Sequence, residues 1–327
     1  MRIGLVGAGR VAQTHVDMIK RVRGAEIAAV IDPQPDRARQ LSEALGVDSF
    51  ASLTDALARA SLDAVDIIAP HHLHYDLAKE ALMAGKHVFM DKPLATNVDL
   101  GRRLCDIAQR EGRTLAICHN LLFHPASQRA AALVTSGILG RPTHAHAQSS
   151  GWLDLTPWDF RLSREATGGG AWVDGAPHLV YLLESLLGPV TELCAVLSTS
   201  PSRLGGEDTA SGVACFDTGA VATIAVGYAD CPTGVTAEWP DGWTLGVTLI
   251  GTEGRLSLGL LPRATIRWQR KGQHPVAEDF TGTRFDVGFE GAFREFVERA
   301  RGGAPLTVSP ADSLRNLELI HVALGQR

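Results

Sequence analysis

The pattern of apolar and polar positions changes character once, a little over a third of the way along the chain. Residues 2–6 form a short apolar run, and Val11, His15, Met18, Ile19 and Val22 then recur at three- and four-residue intervals. That combination predicts a strand followed by a helix. The alternation continues with strands at 25–31, 47–50, 64–69, 87–90 and 114–118, and helices at 37–45, 54–60, 74–84 and 97–111. Strands alternating with helices require a mostly parallel sheet covered on both faces. After a helix at 123–136 the period shifts toward two, predicting strands at 143–152, 190–200, 209–217, 220–230, 243–250, 255–260 and 265–269. Asp217-Thr-Gly219 and Gly251-Thr-Glu-Gly254 read as hairpin turns between them. One strongly apolar helix at 168–187 interrupts this series, and helices at 290–300 and 311–324 close it. The expectation is a doubly wound α/β domain over 1–119 and an α+β domain over 120–327. The second is built on one large, mostly antiparallel open sheet, and the C-terminal helix is expected to pack back on the first domain.

Composition narrows the class without changing the architecture. With 327 residues, two domains can each bury a core. Hydrophobic residues make up 45% and charged residues 20%, and the net charge of −5 comes with no basic run. Nothing there asks for nucleic acid or an anionic membrane. Cys105, Cys118, Cys194, Cys215 and Cys231 are odd in number and lack CxxC spacing, which predicts free thiols in a reducing compartment. No apolar stretch approaches the ~18–20 residues of a membrane span. Met1-Arg2 runs directly into the first strand, leaving no room for a signal peptide, so a cytoplasmic protein is expected.

Candidate chemistry gathers at the ends of the predicted parallel strands. Gly7-Ala-Gly-Arg-Val-Ala12 lies between the first strand and the first helix, the context that makes a glycine fingerprint meaningful. Gly7 would make the tight turn, Gly9 would admit a pyrophosphate, and Arg10 and Val11 would open a helix whose N–H groups face the phosphates. This is a Rossmann dinucleotide-binding arrangement. Asp32 ends the second strand 23 residues beyond Gly9, where an acid accepts both ribose hydroxyls of NAD and repels the 2′-phosphate of NADP. Its competing reading is the opening residue of an Asp-Pro turn, and Arg37 lies near enough to tolerate a phosphate. The other strand ends carry Pro70-His71, Asp91-Lys92-Pro93 and His119-Asn120. A lysine held at that edge would favour an alkoxide; otherwise it is a surface lysine before a turn.

At mid-chain a triple glycine, Gly168-Gly-Gly170, runs into the apolar helix, on which Asp174 and His178 are four apart and share a face. A carboxylate that orients an imidazole suits proton transfer near neutral pH, while an acid near a helix N-terminus with an incidental histidine is the plainer reading. Trp152, Trp158, Asp159 and Arg161 precede the glycines. The tryptophans would wall a pocket or pack in the core. Arg161 would bind an anionic group or pair with Asp159 or Glu165. His71, His72 and His74 cluster, as do His144 and His146, but no acid or cysteine completes a ligand set at metal-site spacing, and no metal is expected.

Together these elements resemble the family of glucose–fructose oxidoreductase, inositol dehydrogenase and rhizopine-catabolism proteins (Gfo/Idh/MocA). The matching residues are Gly7-Ala-Gly-Arg-Val-Ala12, Asp32, Ala69-Pro70 with His74, and Ala84-Gly-Lys-His-Val-Phe-Met-Asp-Lys-Pro93. Asn120 to Pro125, Gly168-Gly-Gly170, Asp174 and His178 follow in order. The resemblance implies a dehydrogenase using NAD, with NADP possible, on a secondary alcohol, ketone or hemiacetal of a sugar, cyclitol or related polyol. It makes Lys92 the substrate-contacting lysine, His178 the proton acceptor or donor and Asp174 the residue orienting it. Pro70, His71, His74 and Asp91 would border the cofactor, and Asn120 the substrate. It also implies homodimers or homotetramers through the open sheet. The chain departs from the family pattern at Asp91 (usually Glu), at His71 (often Asn), at Leu122 or Phe123 (often Arg) and at Tyr181, where an acid is frequent three residues after the histidine. Rival readings are an NADP-dependent keto-sugar reductase or dihydrodiol dehydrogenase, an NAD-dependent glycosidase, and a non-catalytic nucleotide-binding sensor.

Overall fold

The computed structural model describes residues 1–153, 155–156, 159–199, 204–229 and 242–325. They divide into two compact units, one of Met1–Asn120 with Phe289–Leu317, the other of Leu121–Gly288 with Glu318–Arg327. The 289–317 segment thus belongs with the N-terminal unit.

In the first unit β1 (Arg2–Val6), α1 (Ala12–Arg21), β2 (Glu26–Ile31), α2 (Pro35–Leu45), β3 (Asp48–Phe50) and α3 (Leu53–Arg59) follow in turn. After them come β4 (Ala64–Ile67), α4 (His74–Met83), β5 (His87–Met90), α5 (Val98–Arg110) and β6 (Leu115–Ile117). The strands order β3-β2-β1-β4-β5-β6, and every pairing is parallel. Ile3, Leu5, Val65, Ile67, Val88 and Met90 are fully buried, as expected for strands covered on both faces, whose sequences run apolar without alternating. Helix starts follow local chemistry: the Ser52 side chain accepts from Asp55 N–H and opens α3, and Asn97 does the same for Leu100 N–H and α5. Chain order reverses at β1, whose neighbours are β2 and β4, so the carboxyl end of β1 lies at a topological switch point.

The second unit contains α6 (Pro125–Thr135), β7 (Pro142–Ser150), α7 (Arg164–Thr167), α8 (Ala171–Leu187), β8 (Val190–Ser198), β9 (Thr209–Phe216) and β10 (Val221–Gly227). It continues with β11 (Thr244–Gly251), β12 (Gly254–Leu261), β13 (Thr265–Arg270) and β14 (Val276–Asp279). α9 (Val287–Ala300) and the first half of α10 (Pro310–Gly325) then return to the first unit. The eight strands order β14-β13-β12-β11-β7-β10-β9-β8. All pairings are antiparallel except the central β7–β10, which is parallel. β14 escaped the periodicity because Val-Ala-Glu-Asp is a largely exposed edge strand with no alternation to read. α8 packs on β7, β9 and β10. It is buried along its whole length except at His178, Glu184 and Ser185, so an apolar helix lies under the sheet and a histidine is one of its three outlets. Among the described residues no helix is long and apolar enough to cross a membrane.

One polar pair is embedded in the first unit. His15 on α1 and Asp66 on β4 are both fully buried, with Nδ1 2.8 Å from Oδ2. Phe89 and Phe289 flank the imidazole. His15 Nε2 and Asp66 Oδ1 have no partner among the described residues, so each group relies on the other. Burial pushes the imidazole pKa down, but the charge and hydrogen bond of Asp66 outweigh it and the net shift is upward from 6.5. A histidine raised on folding stabilises the native state fully below its unfolded value of 6.5, and that contribution is lost as pH rises through the folded value. His15→Ala should cost about 3–5 kcal/mol by leaving a buried carboxylate unpaired. Urea denaturation across pH 6 to 9 checks both points: the wild-type midpoint should show an alkaline decline that His15→Ala lacks.

Candidate active site

The carboxyl edge of the parallel sheet carries the first group of candidate residues. Gly7 leaves β1 at φ +113°, a conformation open to glycine, with Ile68 O only 2.8 Å from where a Cβ would sit. A Cβ on Gly9 would meet nothing within 4 Å, so the loop backbone there borders open space. Arg10 and Val11 are exposed, and Val11 precedes α1 with no side-chain cap on the helix. A helix N-terminus beside an open glycine backbone is what a pyrophosphate requires. Asp32 is buried at the end of β2, with Oδ2 accepting from Ala8 N–H and Oδ1 from Gln34 N–H, each at 2.8 Å. The turn reading of this residue holds, since it closes its own turn, and it also braces the glycine loop. Each oxygen retains acceptor capacity for a ribose hydroxyl. Glycine turn, helix terminus and carboxylate all fit a dinucleotide without a 2′-phosphate.

Farther along the edge, Pro70 opens a single turn, His71–Leu73, in which His71 is buried. His74 begins α4, is fully buried, and places Nδ1 2.8 Å from Pro93 O and Nε2 2.9 Å from Ala69 O. Its ring therefore ties the loop after β4 to the turn after β5, and it serves the edge through backbone. Burial lowers its pKa against the pull of the Pro93 hydrogen bond and Asp91. Lys92 is buried to 8% exposure, and its N–H donates to Asp91 Oδ1 at 2.8 Å. Bracketed by the Asp91 carboxylate and the His74–Pro93 contact, Lys92 is a held residue and not a surface lysine. Asn120 is buried at the end of the unit.

The second group surrounds the start of α8. Glu207, buried just before β9, accepts through Oε1 from the N–H groups of Gly170 and Trp172, while its carbonyl accepts from Ala171 N–H. This capping carboxylate lies 37 residues beyond Gly170, and no local motif announces it. It also explains the glycines. A Cβ on Gly170 would lie 2.1 Å from Glu207 O, and one on Gly206 2.6 Å from Gly169 O. Their smallness follows from backbone packing within the unit.

Asp174 and His178 share a face of α8, and each has a partner outside that pair. Arg161 Nε donates to Asp174 Oδ2 at 3.0 Å and Nη1 to Asp159 Oδ1 at 3.3 Å, and the guanidinium lies over the Phe160 ring. Burial opposes the Arg161 charge, but Asp174 and Asp159 outweigh it and raise its pKa. Tyr228, buried on the strand side, also bonds Asp174; burial first and that carboxylate second push its phenol well above 10. His178 Nδ1 instead lies 2.9 Å from the Tyr181 hydroxyl. Asp174 thus also holds a guanidinium and a phenol, and His178 has the Tyr181 phenol beside it. Arg161 takes the second of its expected roles, pairing with Asp159 rather than presenting an unmatched charge. Trp158 lies outside the described residues, and Trp152 is 42% exposed. His146 Nδ1 is 2.7 Å from Thr223 Oγ1. Among the described residues no group of three His, Cys, Asp or Glu side chains is placed to hold a metal.

A switch-point glycine loop with its carboxylate, in a chain whose second unit is built on a large open sheet, is the organisation of a nucleotide-linked oxidoreductase. Profile comparisons agree: the "Oxidoreductase family, NAD-binding Rossmann fold" matches residues 1–119, and the "GFO/IDH/MocA C-terminal domain" matches 127–257. The chain belongs to the Gfo/Idh/MocA family. It is 30% identical over 227 residues to the uncharacterised oxidoreductase YrbE of Bacillus subtilis (strain 168), covering 68% of this chain and 65% of that protein. It is 25% identical over 332 residues to scyllo-inositol 2-dehydrogenase (NAD(+)) of the same organism, covering 98% and 92%. The crystal structure of the WlbA dehydrogenase from Bordetella pertussis, in complex with NADH and UDP-GlcNAcA, superposes with a TM-score of 0.85 at 25% identity, covering 99% of this chain and 95% of that one.

The packing account of the glycines is checked by stability. Gly170→Ala should destabilise the fold by driving a methyl into the Glu207 backbone. Glu207→Ala should cost ~1–3 kcal/mol for each buried N–H it orphans. Chemical denaturation measures both, and unchanged midpoints would contradict the account.

Proposed function

We propose that this protein transfers hydride between a nicotinamide dinucleotide, NAD in preference to NADP, and a secondary alcohol of an uncharged sugar, cyclitol or related polyol. The observation that carries the reading is the strand edge: the open glycine loop, the Asp32 carboxylate and the buried Lys92 follow the carboxyl ends of β1, β2 and β5 of one parallel sheet. The named activity of the inositol dehydrogenase relative supports the substrate class. The matched charge of Arg161 supports an uncharged ligand, since Asp159 and Asp174 already face the guanidinium.

When bound, the nicotinamide supplies the hydride acceptor. The protein's residues handle the proton and the oxygen. Lys92 donates a hydrogen bond to the substrate oxygen and stabilises the negative charge that develops as C–H hydride departs. His178 takes the hydroxyl proton at Nε2: the O–H bond breaks, an N–H bond forms, and the oxygen's electron pair becomes part of the new carbonyl. In reduction the same proton returns. Asp174 holds Arg161 and Tyr228, shaping the site around the histidine and not its tautomer. The family's implied self-association is retained in this reading: the open face of the second sheet exposes Val196, Val213 and Ile250 at 66%, 42% and 39%, and we assign that face to a second copy of the chain. Light scattering of Val213→Asp against wild type tests it, with a drop in mass expected.

Incubation with NAD⁺ and a panel of inositols and neutral hexoses tests the chemistry through absorbance of the reduced nicotinamide. Lys92→Ala and His178→Ala should each lower kcat/KM by ~10²–10⁴-fold, with calorimetric NAD⁺ affinity nearly unchanged. Near wild-type turnover in either would remove that residue from its role. Substrate cleavage without net reduced cofactor would transfer the site to glycoside chemistry.

A further inference from the structure

One partner of His178 is a neutral phenol at a position where an acid is frequent in the family, and the acid one turn earlier on the same helix also holds an arginine. We propose that Tyr181 is the positioning residue for His178, accepting a hydrogen bond from Nδ1–H and so holding the tautomer whose lone pair is on Nε2. The proposal rests on the proton-transfer role assigned to His178 above.

The geometry supports it at each step. Tyr181 is three residues after His178 on α8, so the two share a face. Oη is 2.9 Å from Nδ1, and the rings meet edge-on with centroids 5.9 Å apart. Tyr181 is 5% exposed and its ring belongs to the second unit's hydrophobic core, whereas His178 is only part-buried. The phenol is therefore the fixed member of the pair and the imidazole the one being aimed. Other groups that bear on this end of the unit, Asp174, Arg161, Asp159 and Tyr228, form a set that balances its own charge in part.

A hydroxyl and a carboxylate do different things to an imidazole. Both accept from Nδ1–H and select the same tautomer. Only the carboxylate adds a full negative charge, which favours imidazolium. Tyr181 orients the ring without adding that charge. Replacing the phenol by an acid should therefore alter the pH response and not merely the rate.

Two measurements test this. In ¹⁵N-histidine NMR of the protein without substrate, the resonances that vanish in His178→Gln should report Nδ1–H and a lone pair on Nε2. In Tyr181→Phe, whose fold change is one hydroxyl, the tautomer ratio should move toward Nε2–H. Kinetically, Tyr181→Phe should lower kcat about tenfold with KM and NAD⁺ affinity little changed, and Tyr181→Glu should move the acid limb of the kcat/KM profile up by about one pH unit. A wild-type Nε2–H tautomer, or a tautomer unchanged in Tyr181→Phe, would overturn the proposal, and the NMR arm decides it even if Tyr181→Glu fails to fold. If His178→Ala loses activity while Tyr181→Phe alters neither tautomer nor kcat, this inference alone fails. Full activity in His178→Ala would instead sink the parent reading.

Discussion

Parallel strands end on one edge, and that constraint organises the N-terminal unit. With the order β3-β2-β1-β4-β5-β6, the chain deposits Gly7, Asp32, Pro70, Asp91-Lys92 and Asn120 along the same border of the sheet without any long-range recognition between them. Hydrogen bonds then refine the edge. Asp32 braces the loop that Gly7 turns, and His74 ties the loop after β4 to the Lys92–Pro93 turn. Beneath it, the His15–Asp66 pair fastens α1 to β4, which holds the phosphate-facing end of that helix against the sheet. A buried ion pair is costly to desolvate, and here it joins the two elements that the glycine loop must keep in register.

The second unit solves a different problem, the burial of one helix almost all round. Trp172 fills the space left by Gly212 and donates to Ile320 O. Glu207 satisfies the helix N-terminus from inside the unit, complementing its positive end. Two buried carboxylates near one helix start need cationic or N–H partners. Glu207 takes the backbone donors and Asp174 takes Arg161. Beside His178 stands the Tyr181 phenol, 2.9 Å from Nδ1.

Periodicity made nearly every strand and helix legible, because burial on two faces, on one face, or on a helical stripe each leaves a distinct spacing in the sequence. The glycine loop, Asp32 and Lys92 were legible for the same reason: each sits where an apolar run stops. β14 was not, since an exposed edge strand has no buried face to mark it. Neither was the parallel β7–β10 pairing, which depends on how distant strands dock. The Arg161 and Tyr228 partners of Asp174 were not legible, because i,i+4 spacing states which residues can meet on a helix, not which groups approach from the residue after β10 or from the turn holding Arg161. The reason for Gly170 was not legible either, since its neighbour is Glu207, a contact that no local spacing encodes.

The account stands or falls most directly on cofactor choice, since Asp32 at the switch point carries the charge that decides it. Isothermal titration of the intact protein with NAD⁺ and with NADP⁺ measures this without knowledge of the substrate. The account predicts that NAD⁺ binds at least about tenfold more tightly, roughly the 1.4 kcal/mol of one repelled phosphate charge, and that Asp32→Ala closes the gap. Equal affinities in the wild type, or tighter binding of NADP⁺, would contradict it.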